Sequence, residues 1–398
     1  MAMTPLVIMW AGIFYFMPGS SEFRPPRISE TPVTERAREP EPAPAPNDTL
    51  LSVAESADIE EIARLITLGY DVNAADEDGK TPLMLAAEGN NDPGVAQILI
   101  ENGANVGARS QARDLRRTPL MFAAASNPNP EVLRVLILNG AHTNDTDDSG
   151  RNALMYAALG NPNPEVSRIL IETGAGVNTP TDDDGQTTPL MFAAMGNSNP
   201  EVLRVLIENG AGIDTPDTEG WTPLLLAASG NPNPEVLKFL IDNGANAGAL
   251  VSGGSQAGLN ALMLATRNSK PEILQVLIDN GAGVDSGASD GTTPLMSAAK
   301  HNYRSEMLSA LLDNGADINA VNGHGRTALM YATGYFHIDP GIPDENIVRL
   351  LLERGADATL RDRDGKNALD YAGENERFRE TAAFTLLTQR TPGGTSDN

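Results

Sequence analysis

Residues 118–141 read TPLMFAAASNPNPEVLRVLILNGA, and this stretch decides the fold because it marks where two helices begin and end. Thr118 is a helix N-cap, whose side-chain oxygen accepts an unpaired backbone N–H, and Pro119 suits the first helical position. The Asn-Pro-Asn-Pro turn at 127–130 ends this helix, and its second proline begins another. Gly140 supplies the left-handed conformation that ends the second helix. The stretch therefore predicts a helix–turn–helix unit.

The second helix of this unit has one apolar face. Its apolar residues recur at the spacing i, i+1, i+4, i+5, and they are Val132, Leu133, Leu136 and Ile137. This spacing places them on one side of a helix, where they line a core. A single helix pair cannot bury such a face alone, so we expect neighbouring units to stack on it.

The same unit recurs along the chain. The motif Thr-Pro-Leu-Met-x-Ala-Ala, or a close variant, returns at steps of 33 to 40 residues, beginning at Thr81, Thr118, Asn152, Thr188, Thr222, Asn260, Thr293, Thr327 and Asn367. Each unit closes with a glycine and continues into a polar finger such as Asp76–Gly79, whose glycine permits a tight turn. Because each unit packs only against its neighbours, the chain is counted in repeats rather than in globular domains.

These motifs resemble those of ankyrin-repeat proteins, whose units of about 33 residues carry a Thr-Pro-Leu-His-x-Ala signature. The resemblance covers residues 50–390 and implies an all-α repeat solenoid of stacked helix pairs with β-hairpin-like fingers. We count about ten helix pairs, of which 52–70 is the first and 367–389 is the C-terminal cap. Residues 391–398 are expected to form a disordered tail. An insertion at 334–343 is either a partner-contacting loop or a plug over the last repeat.

Two regular departures distinguish the chain from the family pattern. Methionine replaces the signature histidine in seven repeats and leucine replaces it in one, so we expect this position to be apolar core filling. The Asn-Pro-Asn-Pro turn, which is one residue longer than the family's turn, recurs at 127–130, 161–164 and 231–234, with Asn-Ser-Asn-Pro at 197–200. The turns are either an exposed binding face or a structural feature, and we favour the structural interpretation.

The first 49 residues have a different character. No charged side chain occurs in residues 1–21, and the apolar run 6–17 is long enough for the apolar region of a signal peptide. Residues 1–21 are therefore predicted to be a signal peptide or membrane anchor, with a disordered apolar tail as the alternative because no Lys or Arg precedes the run. Residues 22–49 are proline-rich and are predicted to be a disordered linker. We expect a periplasmic or secreted protein, or a cytoplasmic one if 1–21 is not a signal.

Composition excludes several classes of function. The chain carries 53 acidic and 28 basic residues, for a net charge of −25, and this acidity disfavours nucleic acid as a partner. It has no cysteine, which excludes disulfides and thiolate metal sites, and only four histidines. No serine-hydrolase, zinc-protease or phosphate-loop motif occurs in the sequence. We therefore expect a monomeric, non-enzymatic protein that needs no cofactor or metal and contacts membranes only through residues 1–21.

Two groups of residues are candidates for partner contact. The finger at 107–117 lacks the usual Asp-Gly tip and carries Arg109, Arg113, Arg116 and Arg117. These arginines form either a contact for an acidic partner or a solvated loop. By resemblance, partners lie in a concave groove made by the fingers and the first helices, whose central apolar residues are Leu159, Met195 and Trp221. Tryptophan is enriched at binding hot spots, although the Trp221 ring has the alternative of packing on the neighbouring finger.

The sequence thus indicates a protein–protein interaction scaffold that binds a partner protein in its groove and is exported or tethered to the envelope. Two alternative functions remain open. One is a secreted effector acting on host proteins. The other is an inhibitor or immunity-type module that occludes a partner enzyme.

Overall fold

The computed structural model describes residues 46–391, except for 112–113, 184, 269, 302–303, 335–344 and 375. Within these residues twenty α-helices form ten pairs and no β-strand occurs. The predicted signal or anchor, most of the predicted linker, Arg113, nearly all of the insertion and residues 392–398 lie outside the described part of the chain.

The helices alternate between two positions in each repeat, and repeat n is the pair α(2n−1) and α(2n). The first helices are α1 (Pro46–Val53), α3 (Pro82–Gly89), α5 (Pro119–Ser126), α7 (Ala153–Gly160), α9 (Pro189–Gly196), α11 (Pro223–Gly230), α13 (Ala261–Ala265), α15 (Pro294–His301), α17 (Ala328–Thr333) and α19 (Ala368–Gly373). The second helices are α2 (Ile59–Thr67), α4 (Pro93–Glu101), α6 (Pro130–Leu138), α8 (Pro164–Glu172), α10 (Pro200–Glu208), α12 (Pro234–Asp242), α14 (Pro271–Asp279), α16 (Ser305–Asp313), α18 (Glu345–Glu353) and α20 (Ala382–Arg390).

The two sets of helices form two layers. From α3 onward each first helix packs on the first helix of the next repeat, and each second helix packs on the next second helix. This arrangement is the predicted repeat solenoid. The first pair is displaced from its predicted position, because α1 begins at Pro46 rather than at Ser52. A proline is tolerated in the first turn of a helix, where its missing N–H costs no hydrogen bond.

The predicted helix starts are confirmed. Met84 N donates to Thr81 Oγ1 at 3.4 Å, and Met155 N donates to Asn152 Oδ1 at 3.1 Å. The methionines that replace the signature histidine are buried, as expected of core filling. Their sulfurs also face the cap, since Thr81 N lies 3.5 Å from Met84 Sδ and Thr188 N lies 3.4 Å from Met191 Sδ. Methionine is a weak acceptor, so most of its contribution comes from packing.

The fingers are tight turns rather than two-stranded ribbons, and four of them are organised by one carboxylate, that of Asp76, Asp147, Asp217 or Asp362. In the first of them Asp76 N donates to Lys80 O at 3.1 Å, while Asp76 Oδ1 accepts from Asp78 N and Lys80 N at 2.8 Å each. Gly79 takes the required positive φ of 72° at the tip. Among the described residues the one isolated β-bridge joins Leu250 and Asn260.

A ladder of buried asparagines connects the repeats. It consists of the asparagines that begin the turns between the first and second helices, which are Asn90, Asn127, Asn161, Asn197, Asn231 and Asn268. Asn197 Nδ2 donates to Ala158 O at 3.0 Å and to Asn161 O at 2.9 Å, both in the preceding repeat. Asn197 O in turn accepts Asn231 Nδ2 at 2.9 Å. The turn is therefore structural, and its first residue is buried rather than exposed.

In the Asn-Pro-Asn-Pro turns and the Asn-Ser-Asn-Pro turn, the second asparagine makes a different set of hydrogen bonds. Asn199 Oδ1 accepts Glu201 N at 3.1 Å and so caps α10, while Asn199 Nδ2 donates to Pro162 O of the preceding turn at 2.7 Å. Asn163 and Asn233 make the equivalent bonds to Pro128 O and Ser198 O. Each turn thus holds its own second helix and its neighbour at once.

We expect Asn197→Ala to lower the free energy of unfolding by about 2–4 kcal/mol, because it leaves two buried carbonyls without a donor. Asn209→Ala is the matched control, since the Asn209 amide bonds only to Val205 O within its own helix, at 2.7 Å. The control is expected to cost under about 1 kcal/mol. Urea unfolding followed by circular dichroism measures both. Equal costs for the two variants would show that the ladder adds nothing beyond a local cap.

Candidate functional site

Two positions of the repeat determine the chemistry of the groove. The finger-base position is the residue before each N-cap, and its occupants are Lys80, Arg117, Arg151, Thr187, Trp221, Leu259, Thr292, Arg326 and Lys366. The platform position is the fifth residue of the motif on the first helix, and its occupants are Leu85, Phe122, Tyr156, Phe192, Leu226, Leu264, Ser297, Tyr331 and Tyr371.

Cations at the finger base cover aromatic rings at the platform in the N-terminal repeats. The Arg117 guanidinium lies 4.1 Å from the Phe122 ring centroid and 5.6 Å from that of Tyr156. Lys80 Nζ lies 4.7 Å from the Phe122 ring on which Arg117 also packs. Arg151 lies 5.4 Å from Phe192. Such contacts stabilise the array through the ring quadrupole, so these aromatic surfaces are already covered.

The same pattern returns at the C-terminal end, where Arg326 and Lys366 lie 5.7 Å and 5.3 Å from the Tyr371 ring. The Tyr371 hydroxyl donates to Asp362, whose carboxylate also accepts from Arg326 Nε at 3.3 Å. Burial raises the pKa of Tyr371, and its hydrogen bond to Asp362 raises it further. The tyrosine therefore stays protonated and serves as a donor, which makes this end of the groove a fixed polar network.

No cation occupies the finger base in repeats five to eight, where the residues are Thr187, Trp221, Leu259 and Thr292. Trp221 is half-buried, and with Leu226 it lines a cavity of about 330 Å³ between two fingers. Its backbone closes its own finger, because Trp221 N donates to Asp217 Oδ1 at 2.8 Å. The indole thus lies on a rigid turn beside an open cavity, whose other lining residues besides Leu226 are Gly185, Asp217, Thr218 and Glu219.

Leu159 and Met195 occupy one equivalent position, at the end of the first helices of repeats four and five, and both are half-buried. Leu159 packs across Gly196, where an added β-carbon would lie 2.7 Å from Leu159 Cδ1. Neither residue lines the Trp221 cavity, which is shared with Leu226 instead. Leu226 is not among the residues predicted from the sequence, although the absence of an aromatic at this platform position was a signal for it.

The arginine finger is held largely by its neighbours. Arg109 Nη1 donates to Thr146 O at 2.7 Å, and Arg109 Nη2 lies 3.7 Å from Asp145 Oδ2, both in the next finger. Arg117 pairs with Asp114 in addition to its ring contacts. Arg116 is exposed and has a φ of 55°, and Arg113 lies outside the described residues. Of the described arginines in this finger, Arg116 is the exposed one whose side chain is not held by the contacts that fix Arg109 and Arg117.

The described residues contain neither a metal-ion site nor a membrane-spanning helix. No group of three or more His, Asp or Glu side chains there is arranged to hold a metal ion. No described helix is long and apolar enough to cross a membrane.

Arg117→Gln is expected to destabilise the array by about 1–2 kcal/mol, because the Tyr156 ring loses the Arg117 cation and the Phe122 ring keeps only Lys80. Arg116→Gln removes the same charge from an exposed side chain and is expected to change stability by no more than about 0.5 kcal/mol. Thermal unfolding at equal ionic strength measures both. A comparable loss in the two variants would mean that Arg117 acts only through net charge.

Comparison with known families is consistent with this geometry. A family model described as ankyrin repeats (3 copies) matches residues 50–147, 91–181, 120–217, 177–251, 233–322 and 262–362. No curated protein matched the chain. The overlapping matches run from residue 50 to residue 362, through the helix pairs and fingers described above. The chain belongs to the ankyrin-repeat family.

Proposed function

We propose that the chain binds a partner protein through the part of its groove formed by repeats five to seven. Ankyrin repeats generally mediate protein–protein interaction. The observation that supports this location is the change at the finger base, where Trp221 stands in place of a cation. Its indole and Leu226 border a cavity of about 330 Å³.

Cations of the chain already contact most aromatic rings of the groove, but none contacts the Trp221 surface in the described residues. Phe122 lies within reach of Lys80 and Arg117, and Tyr371 lies within reach of Arg326 and Lys366. Their contacts are made inside the chain, so a partner would have to displace a cation to reach the rings. Trp221 and Leu226 need no such displacement, and a half-buried tryptophan on a rigid turn loses little entropy on binding. We assign Met195 and Leu159 to the same surface as flanking contacts.

The remaining parts of the proposal follow from composition. A net charge of −25 disfavours nucleic acid and so favours a protein partner. We also propose a monomer, and a non-enzymatic one because the sequence carries no serine-hydrolase, zinc-protease or phosphate-loop motif. The arginines at 109, 113, 116 and 117 form a proposed charged flank, in which Arg116 is the described arginine most open to contact. Because Arg109 and Arg117 are engaged within the array, their contribution to a partner is indirect, through the shape of the finger.

Export to the envelope is a separate proposal that rests on the apolar run 6–17 and the proline-rich stretch after it. We expect the chain in the periplasmic or secreted fraction, or bound to the membrane, when cells of the source organism are fractionated. N-terminal sequencing of that material decides between cleavage at residue 21 and retention as an anchor. Recovery of the chain in the cytoplasmic fraction alone would contradict this proposal without touching the groove.

We expect Trp221→Ala to weaken partner binding by about 2 kcal/mol, a roughly thirtyfold loss, as for other central tryptophan anchors. The immobilised chain is used to capture proteins from a lysate of the source organism, and mass spectrometry compares the captured protein between wild type and variant. Leu138→Ala is the matched control, since Leu138 is a large apolar side chain that is 85% exposed on a second helix.

Circular dichroism and urea unfolding of each variant separate binding from folding. If Trp221→Ala unfolds the array, the indole is a packing residue and the anchor assignment is wrong. Equal capture by Trp221→Ala and wild type would place binding elsewhere on the array. A captured enzyme that loses activity in the complex would assign the chain to the inhibitor class.

A further inference from the structure

A second cavity, of about 830 Å³, lies in the groove beside the Trp221 region. Two fingers, the turn after α13, and the first helices α15 and α17 line it. Its lining residues include Gln256, Arg267, Asp290, Ser297, Lys300 and Tyr331. The cavity is therefore built from the same fingers and helices as the rest of the groove, and its residues differ from the repeat pattern.

One substitution in that pattern opens the cavity. Ser297 occupies the platform position, which holds leucine, phenylalanine or tyrosine in every other repeat with the motif. Ser297 is only 2% exposed, and its hydroxyl has no hydrogen-bond partner among the described residues. A small side chain here leaves the space that a ring fills elsewhere, and a buried hydroxyl without a partner is costly unless something bonds to it. The wall of the cavity thus contains an unused polar group.

The cavity is also cationic, in contrast to the acidic chain around it. Arg267 Nη1 donates to the neutral amide oxygen of Gln256 at 2.7 Å, and Lys300 Nζ lies 6.0 Å from the Tyr331 ring. In the described part of the chain neither cation lies within ion-pair distance of a carboxylate. Although the Arg267 side chain as a whole is exposed, loss of water around the guanidinium lowers its pKa. The Arg267 guanidinium has therefore lost part of its hydration, and no carboxylate in the described residues pairs with it.

One acidic residue lines the cavity, and its oxygens are engaged. Asp290 Oδ1 accepts Thr292 N at 2.8 Å, and Asp290 Oδ2 accepts Thr292 Oγ1 at 2.9 Å. In repeat two the cation of the equivalent part of the groove is neutralised by an ion pair, because Lys80 Nζ lies 2.7 Å from Glu88 Oε2. At repeats seven and eight the position of Glu88 is held by Arg267 and Lys300 instead.

We propose that this cavity binds the carboxylate of an aspartate or glutamate side chain of the partner protein, with Arg267 and Lys300 as its cationic ligands. Arginine suits this task because its planar fork matches a carboxylate in a bidentate geometry. The inference rests on the proposed groove-binding function and specifies a second contact of the same partner. Leu226 of the apolar surface and Lys300 of the cavity lie on α11 and α15, two repeats apart, which corresponds to about 16–20 Å at ordinary helix spacing. An extended segment spans that distance in about five or six residues, so the partner carries its carboxylate about that far from its apolar anchor.

The test uses a short peptide that contains two glutamates among glycines and serines, acetylated, amidated and labelled with an uncharged dye. The peptide has no apolar side chain, so its binding does not depend on the Trp221 surface. Fluorescence anisotropy with the full chain at low ionic strength, where charges are least screened, measures its affinity. We expect the glutamate peptide to bind more tightly than the same peptide with glutamines.

Three variants locate the binding. Arg267→Gln is expected to weaken the glutamate peptide by about tenfold, because a charge-assisted hydrogen bond is lost. Lys270→Gln removes the same charge from an exposed side chain outside the cavity, and it is expected to change affinity by no more than about twofold. Ser297→Leu keeps every charge, removes the buried hydroxyl and places a larger side chain in the cavity wall, so it is expected to weaken binding.

Several results would overturn the assignment. Equal binding of the glutamate and glutamine peptides, or equal losses in Arg267→Gln and Lys270→Gln, would show that no carboxylate site exists. Unchanged binding to a folded Ser297→Leu variant would place the peptide elsewhere. Displacement of the peptide by inorganic phosphate at concentrations far below those of acetate would reassign the cavity to a phosphate group. None of these outcomes bears on partner capture through Trp221, so the two proposals fail independently.

Discussion

The structure depends on the double hydrogen bond that each buried turn asparagine makes to the repeat before it. A turn between two packed helices brings backbone carbonyls into the interior, where each needs a donor. The asparagine amide supplies two N–H groups to two such carbonyls, as Asn161 does for Ala124 O and Asn127 O at 3.1 and 2.8 Å. Since the carbonyl of one ladder asparagine accepts the amide of the next, the registers of repeats two to seven are tied to one another. The groove inherits its regular spacing from this ladder.

The ladder loosens where the groove changes its chemistry. Asn268 lies 3.5 Å and 3.2 Å from its two acceptors, and α13 has only five residues. The cap of α14 is Lys270, which makes no side-chain cap bond where Asn233 makes one in the preceding repeat. Each repeat in a solenoid is stabilised mainly by its nearest neighbours, so such a local weakening need not spread. Repeat seven can therefore depart from the pattern and carry Arg267 without unfolding the array.

The fold was predictable because its signals are local. A threonine before a proline specifies a helix start from the residues themselves, and the glycine at each helix end does the same for the stop. The asparagine ladder needed the structure, because the sequence shows that asparagine recurs but not which carbonyl of another repeat faces it. The groove was predicted only in part for the same reason. Trp221 was identified from its residue type, whereas its partner Leu226 and the role of Arg117 depend on contacts between finger and helix.

A five-residue spacing between finger base and platform connects Arg117 with Phe122, and this signal lay in the sequence. It was not sufficient, because Arg151 lies over Phe192 of the next repeat rather than over Tyr156, five residues along its own repeat. Spacing thus indicates that a cation and a ring belong to one surface, and the structure shows which ring each cation covers.

The charge distribution constrains the partner more sharply than the apolar surface does. A surface carrying −25 overall repels an acidic segment and attracts a basic one, so long-range attraction favours a partner that is basic around its contact region. Such a partner would meet repulsion at Arg267 and Lys300 unless it placed a carboxylate there. An uncharged or basic side chain at that point would leave two cations desolvated and unpaired. The cavity would therefore weaken the binding of incorrect partners as well as strengthen that of the correct one. A basic protein with one carboxylate set five or six residues from an apolar anchor satisfies both conditions at once.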